Sequence, residues 1–150
     1  MRCLGLDIGE RRIGVAVGEW LASPMMTLVR SSLAADFEAM ARLVHEHQVE
    51  CLVVGLPLNM DGSAGFQAQR VTRYAESMKA ALATMGVDVE LVFWDERLTT
   101  SEAERVMARI GRRRDGGRGR VDAVAAAVIL QSYFDAQARE HAGAPVGIGK

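Results

Sequence analysis

Cysteine is scarce in this chain, with two in 150 residues. Cys3 and Cys51 fall in apolar runs and show no paired spacing, which argues against a cysteine-based metal site or a disulfide framework and leaves two reduced thiols packed in the core. Long hydrophobic runs are missing as well. The longest, Ala123 to Leu130, is too short to span a bilayer, and the N-terminus reaches charge too early for a secretory signal, so a cytoplasmic location with no membrane partner is expected. No GxxxxGK phosphate loop occurs. His45 and His47 lie two apart on a helical stretch, on different faces, which argues against a metal pair. Lysine is nearly absent. Of 18 basic residues only Lys79 and Lys150 are lysine, and arginine is the better fork for phosphate oxygens, although a GC-rich genome would produce the same bias.

What is present is a 49% hydrophobic chain of one domain's length, enough to bury a single sizeable core. One domain over residues 1–150 is expected, with a flexible tail from about residue 139. The net charge of −1 conceals a division: Arg109 to Arg120 holds six arginines against Asp115, which is +5, so everything else carries −6. Within it Gly111 to Arg120, GRRRDGGRGR, offers four glycines and nothing apolar to bury, and reads as a flexible basic loop.

Periodicity supplies the elements. Leu4–Ile8 and Ile13–Val17 alternate as an antiparallel hairpin, and Met26–Val29, after Ser23-Pro24, as a third strand. Phe37, Met40, Ala41 and Val44 then recur at helical spacing with Asp36 as a candidate cap. Cys51–Val54 is the continuous apolar run of a central strand. The loop Leu58 to Gly65 follows, with an Asp61-Gly62 turn, and leads to a helix whose stripe is Val71, Tyr74, Ala75, Met78 and Leu82. Val87–Trp94 is a fifth strand. A third helix begins at a capping box, Thr99 with Glu102 or Ser101 with Glu104, and runs through Ile110. Val121–Phe134 is a helix apolar nearly all round, and therefore buried. Right-handed crossovers give an α/β fold: a five-stranded mixed sheet of order 3-2-1-4-5, strands 1–3 antiparallel, flanked by helices.

Asp7 lies at the centre of that sheet. On its strand Leu4, Leu6 and Ile8 share one face, while Asp7 shares the other with Gly5 and Gly9; on the next strand Gly14, Ala16 and Gly18 continue the cleared face. Bare backbone of this kind marks close approach of a ligand or another element, and the alanine-rich last helix is an obvious occupant. Glu96, just past the fifth strand, and Asp122, in the first turn of the last helix, can reach the same edge. Hard oxygens without His or Cys suit Mg²⁺ or Mn²⁺, which would also relieve the repulsion of crowded carboxylates. Two such ions about 4 Å apart would support in-line hydrolysis of a phosphodiester, with the arginine-rich loop on the nucleic-acid backbone. Each acid has a plainer reading. Asp7 can be a structural carboxylate bonded to a nearby turn, Asp122 is also a good helix cap, Glu96 can pair with Arg97 or Arg12, and Asp95 is an alternative ligand to Glu96.

LDIGERRIGVAVG, VVGLPLNMDG, WDERLTTSEA and VDAVAAAVILQSYF, in this order and spacing, resemble the YqgF family, also called RuvX, over nearly the whole chain. The resemblance implies a ribonuclease H-like fold related to the junction resolvase RuvC. It implies a metal-dependent nuclease that matures the 5′ end of pre-16S rRNA in ribosome biogenesis, with ribosomal precursor particles as partners. Asp7, Glu96 and Asp122 are then the catalytic and metal-binding acids for Mg²⁺ or Mn²⁺. Nucleic-acid contacts fall to Arg11, Arg12, Arg97, Asn59 of the rim loop, and Arg112, Arg113, Arg114, Arg118 and Arg120, the last standing where the family commonly has lysine. Three other readings compete. One is a Holliday junction resolvase acting on branched DNA, which would favour a homodimer over a monomer. Another is a non-catalytic nucleic-acid-binding module. An actin-like ATPase shares the first motif but needs a second lobe and a second Asp-x-Gly strand, and this chain has neither.

Overall fold

The computed structural model describes residues 1–114 and 120–143, with side chains over 1–110 and 121–141. Five strands form one sheet: β1 (Cys3–Ile8), β2 (Arg12–Gly18), β3 (Ala22–Val29), β4 (Cys51–Leu56) and β5 (Glu90–Asp95). Their order is β3-β2-β1-β4-β5. The β1–β2 and β2–β3 pairings are antiparallel, and β4 lies parallel to both β1 and β5. This is the order and sense that the crossover rule requires. The β3 strand starts four residues earlier than alternation suggests, at Ala22. Pro24 is tolerated because β3 is an edge strand and the proline faces a register shift between Val15 and Ala16.

Helices α1 (Leu33–Glu46) and α2 (Phe66–Thr84) cover one face, and α3 (Ser101–Arg114) and α4 (Arg120–Gly143) the other. The bulky face of β1 and β2 (Leu4, Leu6, Ile8, Ile13, Val15) packs with Phe37, Met40, Val71, Met78 and Leu82. The cleared face receives α4. A Cβ on Gly5 would stand 2.7 Å from Leu130 Cβ, and one on Gly14 only 1.9 Å from the carbonyl oxygen of Asp122. The empty positions therefore set how closely the helix approaches. Among the described residues no helix is long and apolar enough to cross a membrane.

Several boundaries differ from the periodic reading. The cap of α1 is Ser32, whose Oγ accepts from the Ala35 amide at 3.1 Å. Asp36 is instead buried inside the first turn, accepting from the Ser31 amide at 2.9 Å and the Tyr74 hydroxyl at 3.2 Å. Neither candidate capping box starts α3. Thr100 does, its Oγ1 accepting from the Ala103 amide at 3.1 Å. The same helix runs on to Arg114, taking in the first four residues of the expected basic loop, because one glycine costs a helix only about 1 kcal/mol and arginine is a good helix former. Residues 115–119 of that loop lie outside the described residues. Helix α4 likewise continues to Gly143, so residues 139–143, expected in the tail, are helical. The alanines and the Gln, Arg and Glu that follow Phe134 favour helix without needing burial.

Candidate active site

The parallel strands β1, β4 and β5 all end at one edge of the sheet, the edge where open α/β sheets bind their ligands. Asp7 is the next-to-last residue of β1. Glu96 opens a one-turn 3-10 helix (Glu96–Leu98) directly after β5, with Asp95 as its cap. The turn is fixed from below: the Trp94 indole N–H donates to Ser132 Oγ, and Ser132 in turn donates to the Leu98 carbonyl, both at 3.0 Å. Gly55 at the end of β4 leaves the space that Glu96 fills, since a Cβ there would meet Glu96 Oε2 at 2.7 Å and Ile129 Cδ1 at 2.5 Å.

Asp7 and Glu96 face a shared cavity of about 150 Å³, closed by Thr99, Glu104 and the α4 residues Ala125, Val128 and Ile129. Burial, and secondarily Asp122, raises the Asp7 carboxyl above its ordinary value. Glu96 is pushed up to about 6, by burial first and then by Asp7 and Asp95. Among the described residues no cationic side chain lowers either carboxyl. Asp122 stands nearby on the first turn of α4, where Arg12 Nε donates to its Oδ2 at 2.9 Å. Its carboxylate is thus paired, yet close enough for its charge to act on Asp7. Among the described residues no three acidic, histidine or cysteine side chains already form a closed ligand set. Two partly buried carboxylates made only of hard oxygens nevertheless fit a divalent cation, and a third ligand would come from Asp122 on leaving Arg12.

Asp95 is committed elsewhere. Arg97 clasps it through Nε, at 3.0 Å from both carboxylate oxygens, and through Nη2 at 2.6 Å, which holds the Asp95 carboxyl below its usual range. The other arm of Arg97 donates to the Met60 carbonyl at 3.0 Å, tying the loop after β4 to the end of β5. Asn59 is likewise spent inside that loop, donating to Ser63 Oγ at 2.9 Å. Arg11 is exposed on the β1–β2 turn. Arg112, Arg113 and Arg114 lie on the last turn of α3 and Arg120 opens α4, but their side chains, and all of Arg118, fall outside the described residues. Thr99 and Glu104 were legible only as capping candidates; nothing in their spacing shows that they line the cavity.

A sheet of order 3-2-1-4-5 with paired carboxylates at the carboxyl ends of its parallel strands defines a ribonuclease H-like α/β protein. Solved structures with this fold include Thermus thermophilus RuvC in complex with a Holliday junction substrate (TM-score 0.57, 16% identity, 92% of this chain and 96% of that one). The yeast mitochondrial Holliday junction resolvase Ydc2 gives a TM-score of 0.60 at 16% identity, over 93% of this chain and 80% of that one. Residues 1–136 match the family model for RuvX, described as a Holliday junction resolvase. Relatives named "Putative pre-16S rRNA nuclease" include one from Syntrophus aciditrophicus, 44% identical over 93% of this chain and 92% of its own length, and one from Myxococcus xanthus, 45% identical over 91% and 89%. The chain belongs to the RuvX family and is a nuclease.

Proposed function

We propose that this nuclease hydrolyses phosphodiester bonds in structured RNA, maturing the 5′ end of pre-16S rRNA, at a divalent-metal site built on Asp7, Glu96 and Asp122. The observation that carries the reading is the shared cavity that Asp7 and Glu96 face, where burial raises both carboxyls and Asp7 adds to the cost of ionising Glu96. Mg²⁺ or Mn²⁺ held there would activate a water and stabilise the leaving oxygen. The chain's own residues do the rest. Val128 and Ile129 give the cavity its apolar wall beside the acids, and Gly55 and Ser132 fix where Glu96 stands. Arg12 holds Asp122 beside them. The relatives' names support the RNA substrate. The family description favours a second reading, a four-way DNA junction.

The test compares wild type with Asp7→Asn on a labelled 5′-extended 16S precursor and on a synthetic four-way junction, each with Mg²⁺, Mn²⁺ or EDTA. Cleavage of the precursor, lost in the variant and in EDTA, is expected, with a drop of about 10²–10³-fold as for other removals of a principal charge-stabilising group. Equal cleavage by Asp7→Asn would sink the site assignment. Cleavage of the junction alone would replace the substrate.

A further inference from the structure

A larger cavity, of about 360 Å³, lies around the end of β1 from the acidic site, between the β1–β2 turn and the start of α2. Ile8, Val71 and Tyr74 contribute apolar surface, and Arg30, Arg70 and Gln67 bring polar heads to it. Arg30 is built in. Its Nη1 donates to the Gly9 carbonyl at 2.7 Å, its guanidinium lies 4.2 Å over the Tyr74 ring, and its Nε stands 3.9 Å from Asp36 Oδ2. Arg70 is more loosely engaged, pairing with the Glu10 carboxylate, whose side chain is 76% exposed. Arg11 and Arg30 pull on the same carboxylate. One exposed acid thus occupies a position that three guanidinium groups favour for an anion.

Such a pair is easily exchanged. An exposed carboxylate–arginine contact contributes little to stability, while a phosphate offers more acceptor oxygens and suits the arginine fork. The cavity volume falls at the small end of ligand sites of about 300–1,000 Å³. Its volume suits a ligand of about one nucleotide's size. Asp7 and Ile8 are consecutive on β1 and point to opposite faces, so a strand crossing the end of β1 would meet both cavities.

We propose that this cavity receives one unpaired nucleotide of the strand under cleavage, its phosphate replacing Glu10 on Arg70 within the field of Arg30 and its sugar and base lying against Ile8, Val71 and Gln67. The proposal rests on the nuclease reading in taking nucleic acid as the source of that nucleotide. It makes the substrate a strand that is single-stranded beside the scissile bond, and it makes Glu10 an internal competitor for the phosphate.

The test uses the full chain in EDTA, so that binding is read without cleavage. Anisotropy of a labelled single-stranded RNA is followed for wild type, Arg70→Ala and Glu10→Gln, with the matching duplex as comparison and thermal melting to verify folding. Arg70→Ala is expected to weaken single-strand binding about tenfold, one charge-assisted contact, and Glu10→Gln to tighten it about threefold, with duplex binding unmoved. In a parallel NMR titration, a nucleoside monophosphate should shift the Gly9 amide and the Gln67 side-chain amide, at lower concentration in Glu10→Gln. Single-strand affinities equal to wild type in both variants would overturn the proposal. Inorganic phosphate binding as tightly as the monophosphate would also overturn it, reducing the cavity to an anion site. Failure of the Asp7→Asn cleavage test would strike the nuclease reading and leave these binding results standing.

Discussion

Glu96 carries a carboxyl raised from 4.5 to about 6 because it is partly buried between Asp7 and Asp95. Its folded-state pKa lies above the unfolded one, so the native state binds more protons between those values, and the stability this contributes is lost as pH rises from about 4.5 through about 6. Above that window the ionised acid strains the fold. Glu96→Gln is therefore expected to stabilise the metal-free protein at pH 8 by about 1 kcal/mol, the value of the shift discounted for the solvent-facing part of the side chain, while destroying activity. Urea melts of both proteins at pH 5 and pH 8 in EDTA check this; a variant no more stable than wild type at pH 8 would show that the carboxylate is not under electrostatic cost. Asp7 stood out in the sequence as a lone charge in a glycine-cleared strand, whereas Glu96 and Asp122 joined the proposed site through the family resemblance. The choice between Asp95 and Glu96 was not legible. It depends on Arg97 reaching back to Asp95 and across to Met60, a contact made only once the loop after β4 lies beside β5.

At the scale of elements, the site exists because α4 lies nearly on the backbone of β1 and β2. A methyl on Gly14 would meet the Asp122 carbonyl at 1.9 Å, so Gly14→Ala has to push the helix start away. A loss of about 3 kcal/mol is expected, at the upper end for overpacking, with activity falling further than stability because Asp122 moves with the helix. Thermal melts paired with cleavage rates measure both. Ser132→Ala strips the half-buried Trp94 indole of its acceptor and frees the Leu98 carbonyl, at a cost of about 1–3 kcal/mol; an unchanged melting temperature would mean that α4 does not pin the turn carrying Glu96. The approach of α4 to the cleared face could be read from alternating glycines and a run of alanines. Helix starts were less legible. Ser31, Ser32 and Asp36, and likewise Thr99, Thr100 and Ser101, are all good caps, and tertiary contacts select among them: Asp36 is drawn inward by Tyr74, which leaves Ser32 to cap.

Over the whole molecule, order 3-2-1-4-5 followed from hairpin chemistry and the handedness of crossovers, rules that need only element types and sequence order. Features assembled from distant segments were beyond such rules. Arg12 meets Asp122 across 110 positions, and Glu10, Arg30 and Arg70 come from a turn, a strand end and a helix. The division of charge has a measurable consequence: if the arginines of the α3–α4 region hold phosphates, neutralising Arg112, Arg113 and Arg114 together should weaken RNA binding and reduce the magnitude of the salt slope by about 2 to 3, and an unchanged slope would remove that region from the interface. The central claim is that acids from β1, the turn after β5 and the start of α4 form one cation site. Calorimetric titration of Mn²⁺ into the wild-type protein and into Asp7→Asn, Glu96→Gln and Asp122→Asn tests it most directly. Binding by the wild type and its loss in all three variants is expected; binding that survives intact in any one of them, with the fold preserved, would contradict a site shared by the three.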